Sequence, residues 1–221
     1  MLAKELISDV VPALKTSDTG LDAINWMEVF RVSHLPIVNN KAFLGIISDV
    51  DIYDLNKANE PLGNHPLSYA KPYVLEYQHI YDVIELASRL QLTVVPVLDA
   101  NEDYLGLITQ QQLLQRFADL IAAHTPGGIV ELELQLRDYS LSEIARLVED
   151  ADAKILSLYV SQMMEGDRYS IAIKLNRTDL EPVLTAFDRY GYSVKTTYVG
   201  NDSHDETVKR NYDSLMKYLS M

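Results

Sequence analysis

Apolar residues along this chain follow two kinds of spacing, and the alternation between them predicts its elements. Short apolar runs closed by proline and turn residues predict buried strands; apolar side chains returning every three or four positions predict helices. The stretch from His34 to Ile52 sets the pattern. His34-Leu35-Pro36-Ile37-Val38 and Leu44-Gly45-Ile46-Ile47-Ser48 read as two strands joined by a turn at Asn39-Asn40-Lys41, with a helix opening where the second strand ends. Ser48 and Asp51 are three residues apart, so a hydroxyl and a carboxylate face one opening from the first turn of that helix.

The same order returns about sixty residues later. An offset of 60 places Pro12 on Pro72, Asp22 on Asp82, Ile24 on Ile84 and Pro36 on Pro96. One extra residue within Asp99-Ala100-Asn101-Glu102-Asp103 then sets Gly45 on Gly106 and Ser48 on Thr109. Each copy predicts an extended piece containing proline, a helix, two strands and a second helix. In the first copy Ser17, Asp18 and Thr19 offer N-caps, and Leu21, Ile24, Met27 and Phe30 follow at helical spacing. Ile80, Val83, Ile84, Ala87 and Leu90 do the same in the second, and Leu113, Leu114, Phe117, Leu120 and Ile121 stripe its last helix. One such unit cannot bury both faces of its sheet. Two facing copies can, with pseudo-twofold symmetry and two matching clefts.

His124-Thr125-Pro126-Gly127-Gly128 ends the helical spacing and predicts a linker. Beyond it Val130, Leu132, Leu134 and Leu136 alternate as the buried face of a strand. Ser140 and Glu143 predict a capping box for a helix striped by Leu141, Ile144, Leu147 and Val148. Strands at 154–161 and 168–175 flank a turn at 165–167; a helix from Thr178 or Asp179 carries Leu180, Val183, Leu184 and Phe187; a strand follows at 193–198. The order βαββαβ predicts a four-stranded antiparallel sheet with two helices on one face. After a polar linker, Val208, Tyr212, Leu215 and Leu219 predict an amphipathic helix that packs on the body or on a partner subunit. The expected division is a repeat at 1–62, a second at 63–124, a linker at 125–128, a domain at 129–200, and a linker with C-terminal helix at 201–221. The expected fold class is α/β and α+β.

Composition narrows the function. The 221 residues are 48% apolar and 23% charged, enough for a substantial core. A net charge of −13 repels an extended phosphate backbone, so nucleic acid is not an expected partner. The absence of cysteine excludes disulfides and thiolate chemistry and suits a reducing compartment. The first residues carry acids rather than the apolar core of a secretory signal, and no apolar run approaches the ~20 residues that cross a bilayer. A cytoplasmic protein without membrane contact is expected. Asp49 and Asp51 point about 200° apart on a helix and cannot clamp one ion, while Asp51 and Asp54 read better as a solvated face. The histidines at 34, 65, 79, 124 and 204 show no ligand spacing. No metal, no obligatory cofactor and no catalytic residues are expected, because no nucleophile elbow, phosphate loop or Ser-His-Asp set can be assembled.

The two copies resemble a tandem pair of CBS domains over roughly residues 4–123. Gly45-Ile46-Ile47-Ser48-Asp49-Val50-Asp51 matches the family's Gly-x-x-Ser/Thr-x-x-Asp, after the Leu35-Pro36-Ile37-Val38 strand. The resemblance implies a regulatory, ligand-sensing module that binds an adenosine-containing nucleotide such as AMP or ATP, or S-adenosylmethionine. Asp51 would accept from the ribose hydroxyls and Ser48 would reach ribose or phosphate. The backbone at Ser33, His34 and Leu35, next to Pro36, would read the adenine, with Gly45 opening the second strand. The second copy keeps Val94, Val95, Pro96, Gly106 and Thr109, but Gln112 stands where the aspartate is expected. A neutral acceptor makes a weaker bond than a carboxylate, so the second site is expected to be the weaker one. Lys15, Arg31 and Lys41, set against Asp49, Asp51 and Asp54, suit adenosine, a monophosphate or S-adenosylmethionine better than a bare triphosphate.

Residues 129–199 resemble an ACT domain. Leu136-Arg137-Asp138-Tyr139-Ser140 lacks the glycine turn of its amino-acid-binding members, so the resemblance implies dimerisation or docking there. CBS repeats followed by an ACT-like domain resemble the acetoin-utilisation type of regulatory protein, and a homodimer is expected. Two other readings stand beside this one. Asp51 also suits a helix N-terminus for its own sake, which leaves an interaction scaffold that binds no small molecule; an enzyme is the third.

Overall fold

The structure is a computed structural model and describes residues 1–55, 57–64, 71–163 and 167–199. The expected C-terminal helix, most of the turn at 165–167, His65 and His204 lie outside the described residues. The chain divides into two compact units, Met1–Arg116 and Phe117–Met221.

The first unit holds α1 (Gly20–Phe30), β1 (His34–Asn39), β2 (Ala42–Ser48) and α2 (Asp49–Leu55), then β3 (Val74–Leu75), α3 (Ile80–Leu90), β4 (Val94–Leu98) and β5 (Tyr104–Thr109). A fourth helix, α4 (Gln110–Leu120), runs out of it. The repeat read from the sequence is structural down to its irregularities. β1 and β2 pair antiparallel with a register shift after Ile37, and β4 and β5 pair antiparallel with the same shift after Val97. The proline-containing segments lie parallel to β1 and β4 through Leu14↔Ile37 and Val74↔Val97. Both copies share one core, in which Leu35, Ile37 and Ile47 pack with Ile80, Val94, Val97 and Leu107. At the hairpin tips the Tyr104 N–H donates to the Lys41 carbonyl at 2.8 Å, and Phe43 stacks on Tyr104 with ring centroids 6.3 Å apart.

The buried helix faces differ from the expected stripes. Gly20, Ala23 and Met27 are the buried positions of α1, and Leu21 is exposed. Gly20 is the cause: a Cβ there would lie 2.9 Å from Ile52 Cγ2 and 3.1 Å from Ala58 Cα, so the residue without a side chain takes the closest approach and Leu21 is turned outward. In α3, Leu86 is buried in place of Leu90. In α4 only Leu113 is buried, and Leu114 is 68% exposed.

The second unit contains β6 (Gly128–Gln135), α5 (Leu141–Asp150), β7 (Ile155–Gln162), β8 (Arg168–Leu175), α6 (Glu181–Arg189) and β9 (Ser193–Val199). Its four strands form one antiparallel sheet in the order β7-β8-β6-β9. Val130, Leu132, Ile171 and Ile173 alternate toward the helices and pack with Ile144, Leu147, Val183 and Phe187. Two expectations fail at the end of β6. Leu136 leaves the strand for a 3-10 turn, Leu136–Asp138, and is 54% exposed. Ser140 caps α5 by accepting from the Glu143 N–H at 3.4 Å, but the Glu143 side chain accepts from the Tyr192 hydroxyl at 2.8 Å instead of turning back to complete the box.

Candidate functional site

The first candidate site is the set of residues where β1, β2 and α2 meet. His34 pairs with Ser48 in the register, so the entry of β1 and the start of α2 lie side by side. α2 starts at Asp49 because Ser48 and Asp51 close a reciprocal cap. Asp51 Oδ2 accepts from the Ser48 N–H at 2.8 Å and from its hydroxyl at 2.6 Å, while Ser48 Oγ accepts from the Asp51 N–H at 3.1 Å. No hydrogen bond from the described residues reaches Asp51 Oδ1. Asp49 Oδ1 turns to the Val50 N–H at 2.8 Å, and Asp54 is exposed. Among the described residues no cluster of three or more His, Asp and Glu could hold a metal ion.

The expected backbone positions are not equivalent. The Leu14 N–H donates to the Pro36 carbonyl at 2.8 Å and the Val38 N–H donates to the Leu14 carbonyl at 2.7 Å. Strand alternation therefore turns the His34 N–H and C=O to the same edge, where no backbone bond from the described residues meets them. Leu35 and Pro36 are buried, and Leu35 turns its backbone toward β2. Ser33 has spent both groups: its N–H donates to Thr93 Oγ1 at 2.9 Å and its carbonyl accepts from the Asp49 N–H at 3.1 Å. Gly45 is buried opposite Ile37, beside the register shift. Lys41 sits at the far tip of the hairpin, about 20 Å of strand from Ser48, and pairs with Asp103 at 3.6 Å.

The Thr109–Gln112 cap repeats the Ser48–Asp51 cap with a neutral acceptor. Gln112 Oε1 accepts from the Thr109 N–H at 3.3 Å and its hydroxyl at 3.0 Å, and Thr109 Oγ1 accepts from the Gln112 N–H at 3.2 Å. The side-chain bonds are longer than those at Asp51. Val94, Val95 and Pro96 are buried, and a Cβ on Gly106 would overlap the Ile7 side chain. The same box also opens α1, where Asp22 Oδ2 accepts from the Thr19 N–H at 2.9 Å and hydroxyl at 2.6 Å. These two bonds, the hydroxyl first, hold the Asp22 carboxyl below its ordinary pKa.

Sequence reasoning missed Thr93. Besides meeting Ser33, its hydroxyl lies 3.0 Å from His34 Nδ1 and its N–H donates to that nitrogen at 3.4 Å. A signal for it exists, since Thr93 falls on Ser33 at the offset of 60. The second unit holds a separate cleft of about 740 Å³ between the end of β6 and the start of β9, lined by Asp138, Arg168 and Tyr190 among others. At its rim, burial first and then the bond to Glu143 push the Tyr192 hydroxyl up to about 12.

Residues 3–57 match the family model of the CBS domain. Among curated proteins, the inosine-5'-monophosphate dehydrogenase of Methanocaldococcus jannaschii is 30% identical over 118 residues, covering 52% of this chain and 23% of that protein. The chain thus spans about a quarter of that relative's length. Similar solved structures include a CBS domain pair/ACT domain protein from Thermotoga maritima, at 19% identity and a TM-score of 0.48, covering 54% of this chain and 98% of that one. A Vibrio cholerae protein named for acetoin utilization is 20% identical with a TM-score of 0.47, over 56% of this chain and 95% of that one. The CBSX2 protein in complex with AMP is 18% identical with a TM-score of 0.45, over 53% and 96%. The fold is mixed α/β, and the stretch that matches the CBS domain lies at its start, over residues 3–57. Among the described residues no helix is long and apolar enough to cross a membrane.

Proposed function

We propose that this chain is a ligand-sensing regulatory protein whose first cleft binds an adenosine-containing molecule of the AMP, ATP or S-adenosylmethionine class. The observation that carries the reading is the unmet backbone edge of His34 beside Ser48, with Asp51 Oδ1 also unmet by the described residues. An adenine needs a donor and an acceptor side by side, which that edge offers, and a ribose diol needs an ionised carboxylate, which takes two donors. The match of residues 3–57 to the CBS domain supports the same reading. In this proposal 1–62 and 63–124 are two CBS repeats, 129–200 is an ACT-like domain, and a change in repeat packing is conveyed to that domain or to a partner. The Gln112 cleft is the weaker site. A homodimer and a cytoplasmic location belong to the proposal; exposed Trp26, Val29, Val50 and Tyr53 on α1 and α2 support the first, and the lack of cysteine accords with the second.

A thermal-shift screen of AMP, ADP, ATP, S-adenosylmethionine and NAD on wild type and Asp51→Asn tests it. A ligand at a hundred times its Kd stabilises by about 2.7 kcal/mol, a shift of several degrees. The expected result is such a shift with one adenine compound, lost in the variant. The second reading is a scaffold without a ligand. It is favoured by one observation: Asp51 Oδ2 and both backbone groups of Ser33 are already satisfied within the chain. It expects no shift with any compound.

A further inference from the structure

His34 stands where the two repeats touch. Its Nδ1 faces the second repeat alone, with the Thr93 hydroxyl at 3.0 Å and the Thr93 N–H donating at 3.4 Å. A backbone N–H can only donate, so Nδ1 is an acceptor and the ring is the neutral tautomer with its proton on Nε2. Thr93 Oγ1 accepts from the Ser33 N–H at 2.9 Å, which leaves the hydroxyl hydrogen to point at Nδ1. The three groups close a small network across the join. Val94 occupies the position matching His34 in the second repeat and is fully buried, so only one side of the join carries an imidazole.

We propose that the His34–Thr93 contact is a proton-sensitive latch between the two repeats, closed while the imidazole is neutral and released when Nδ1 takes a proton. On protonation the Thr93 hydroxyl can rotate to accept from Nδ1–H. The Thr93 N–H cannot rotate, and it is left facing another donor. The charged groups acting on the ring are Asp49 and Asp51 of α2. Ser48 on β2 and Thr93 on the second repeat face it without titrating in this range. Burial holds the His34 pKa below its ordinary value, and the two aspartates oppose that without overcoming it. The sign follows. Above the ordinary histidine pKa of about 6.5 both folded and unfolded chains are neutral there and the latch is closed. As pH falls, the unfolded chain takes the proton first, and stability is lost down through the lower pKa of the folded form. The latch does not depend on the ligand reading, since every group in it belongs to the chain.

The test is an NMR titration of the full chain from pH 8 to pH 5, following His34 Cε1–H and the Thr93 amide together, with melting temperatures for wild type and His34→Gln. The expected result is a His34 midpoint below the ordinary value, a Thr93 amide shift with that same midpoint, and a steeper loss of Tm below neutrality in wild type than in the glutamine variant. A His34 midpoint at or above the ordinary value, or a Thr93 amide that ignores it, overturns the latch. Should His34→Gln fail to fold, the two resonances in wild type decide alone. No ligand is added, so failure of adenine compounds to bind leaves this result intact.

Discussion

Three single residues in this chain carry more than their type suggests. Gly106 is fixed by its neighbour: a methyl group there would overlap Ile7. Gly106→Ala should therefore destabilise the first unit by ~1–3 kcal/mol, the usual cost of overpacking, read as a lower midpoint in urea. Tyr192 donates to the Glu143 carboxylate at 2.8 Å, a bond that the sequence pattern had assigned to Ser140 and the α5 cap. Tyr192→Phe should cost about 1 kcal/mol, and the tyrosine absorbance lost in the variant should be the component that ionises near pH 12. Asp51→Asn keeps the shape of the α2 cap while removing its charge, so its stability should change by less than ~1 kcal/mol even where ligand response disappears. A large loss of stability would reassign Asp51 to the helix alone.

Among the elements, existence was easier to read than facing. β1, β2 and β8 fall within a residue or two of their expected limits, because proline, asparagine turns and strict alternation are local signals. The inward faces of α1 and α3 were misread for a non-local reason. Periodicity ranked Leu21 above Gly20, yet contact with Ile52 and Ala58 decides which residue can come closest, and neither neighbour is visible from within the helix. The Ser48–Asp51 spacing was legible as chemistry, but the chain uses the same geometry at Thr19–Asp22, where no cleft was expected. The spacing alone thus does not separate a ligand contact from a helix start. The exposed apolar side chains of α1 and α2 make a separate test possible. Trp26→Asp with Tyr53→Asp should leave the helices formed by circular dichroism and shift sedimentation from dimer to monomer if those faces join two copies.

For the whole molecule, the pattern of two cores matters more than the list of elements. Leu35, Ile37, Val94 and Leu107 belong to a core built from both repeats, whereas Val130, Ile171, Val183 and Phe187 belong to another that shares no residue with it. Phe187→Ala should remove ~3–5 kcal/mol from the second core only. Calorimetry should show one transition moving down while the transition of the first unit keeps its place. The change of period after Gly128 marks the start of the second core, whereas the division into units falls earlier, between Arg116 and Phe117. The repeat aligns Thr93 with Ser33, but the alignment does not show that two positions sixty residues apart touch each other. Under the proposed function, the cap at Asp51 also sets terms for a sugar at the first site. Ser48 keeps Oδ2, so a guest bearing a single hydroxyl meets only Oδ1, which no described residue bonds, and adds one donor there. A vicinal diol brings two donors, and on that arithmetic the chain would favour ribonucleosides over their 2'-deoxy counterparts before any base is read.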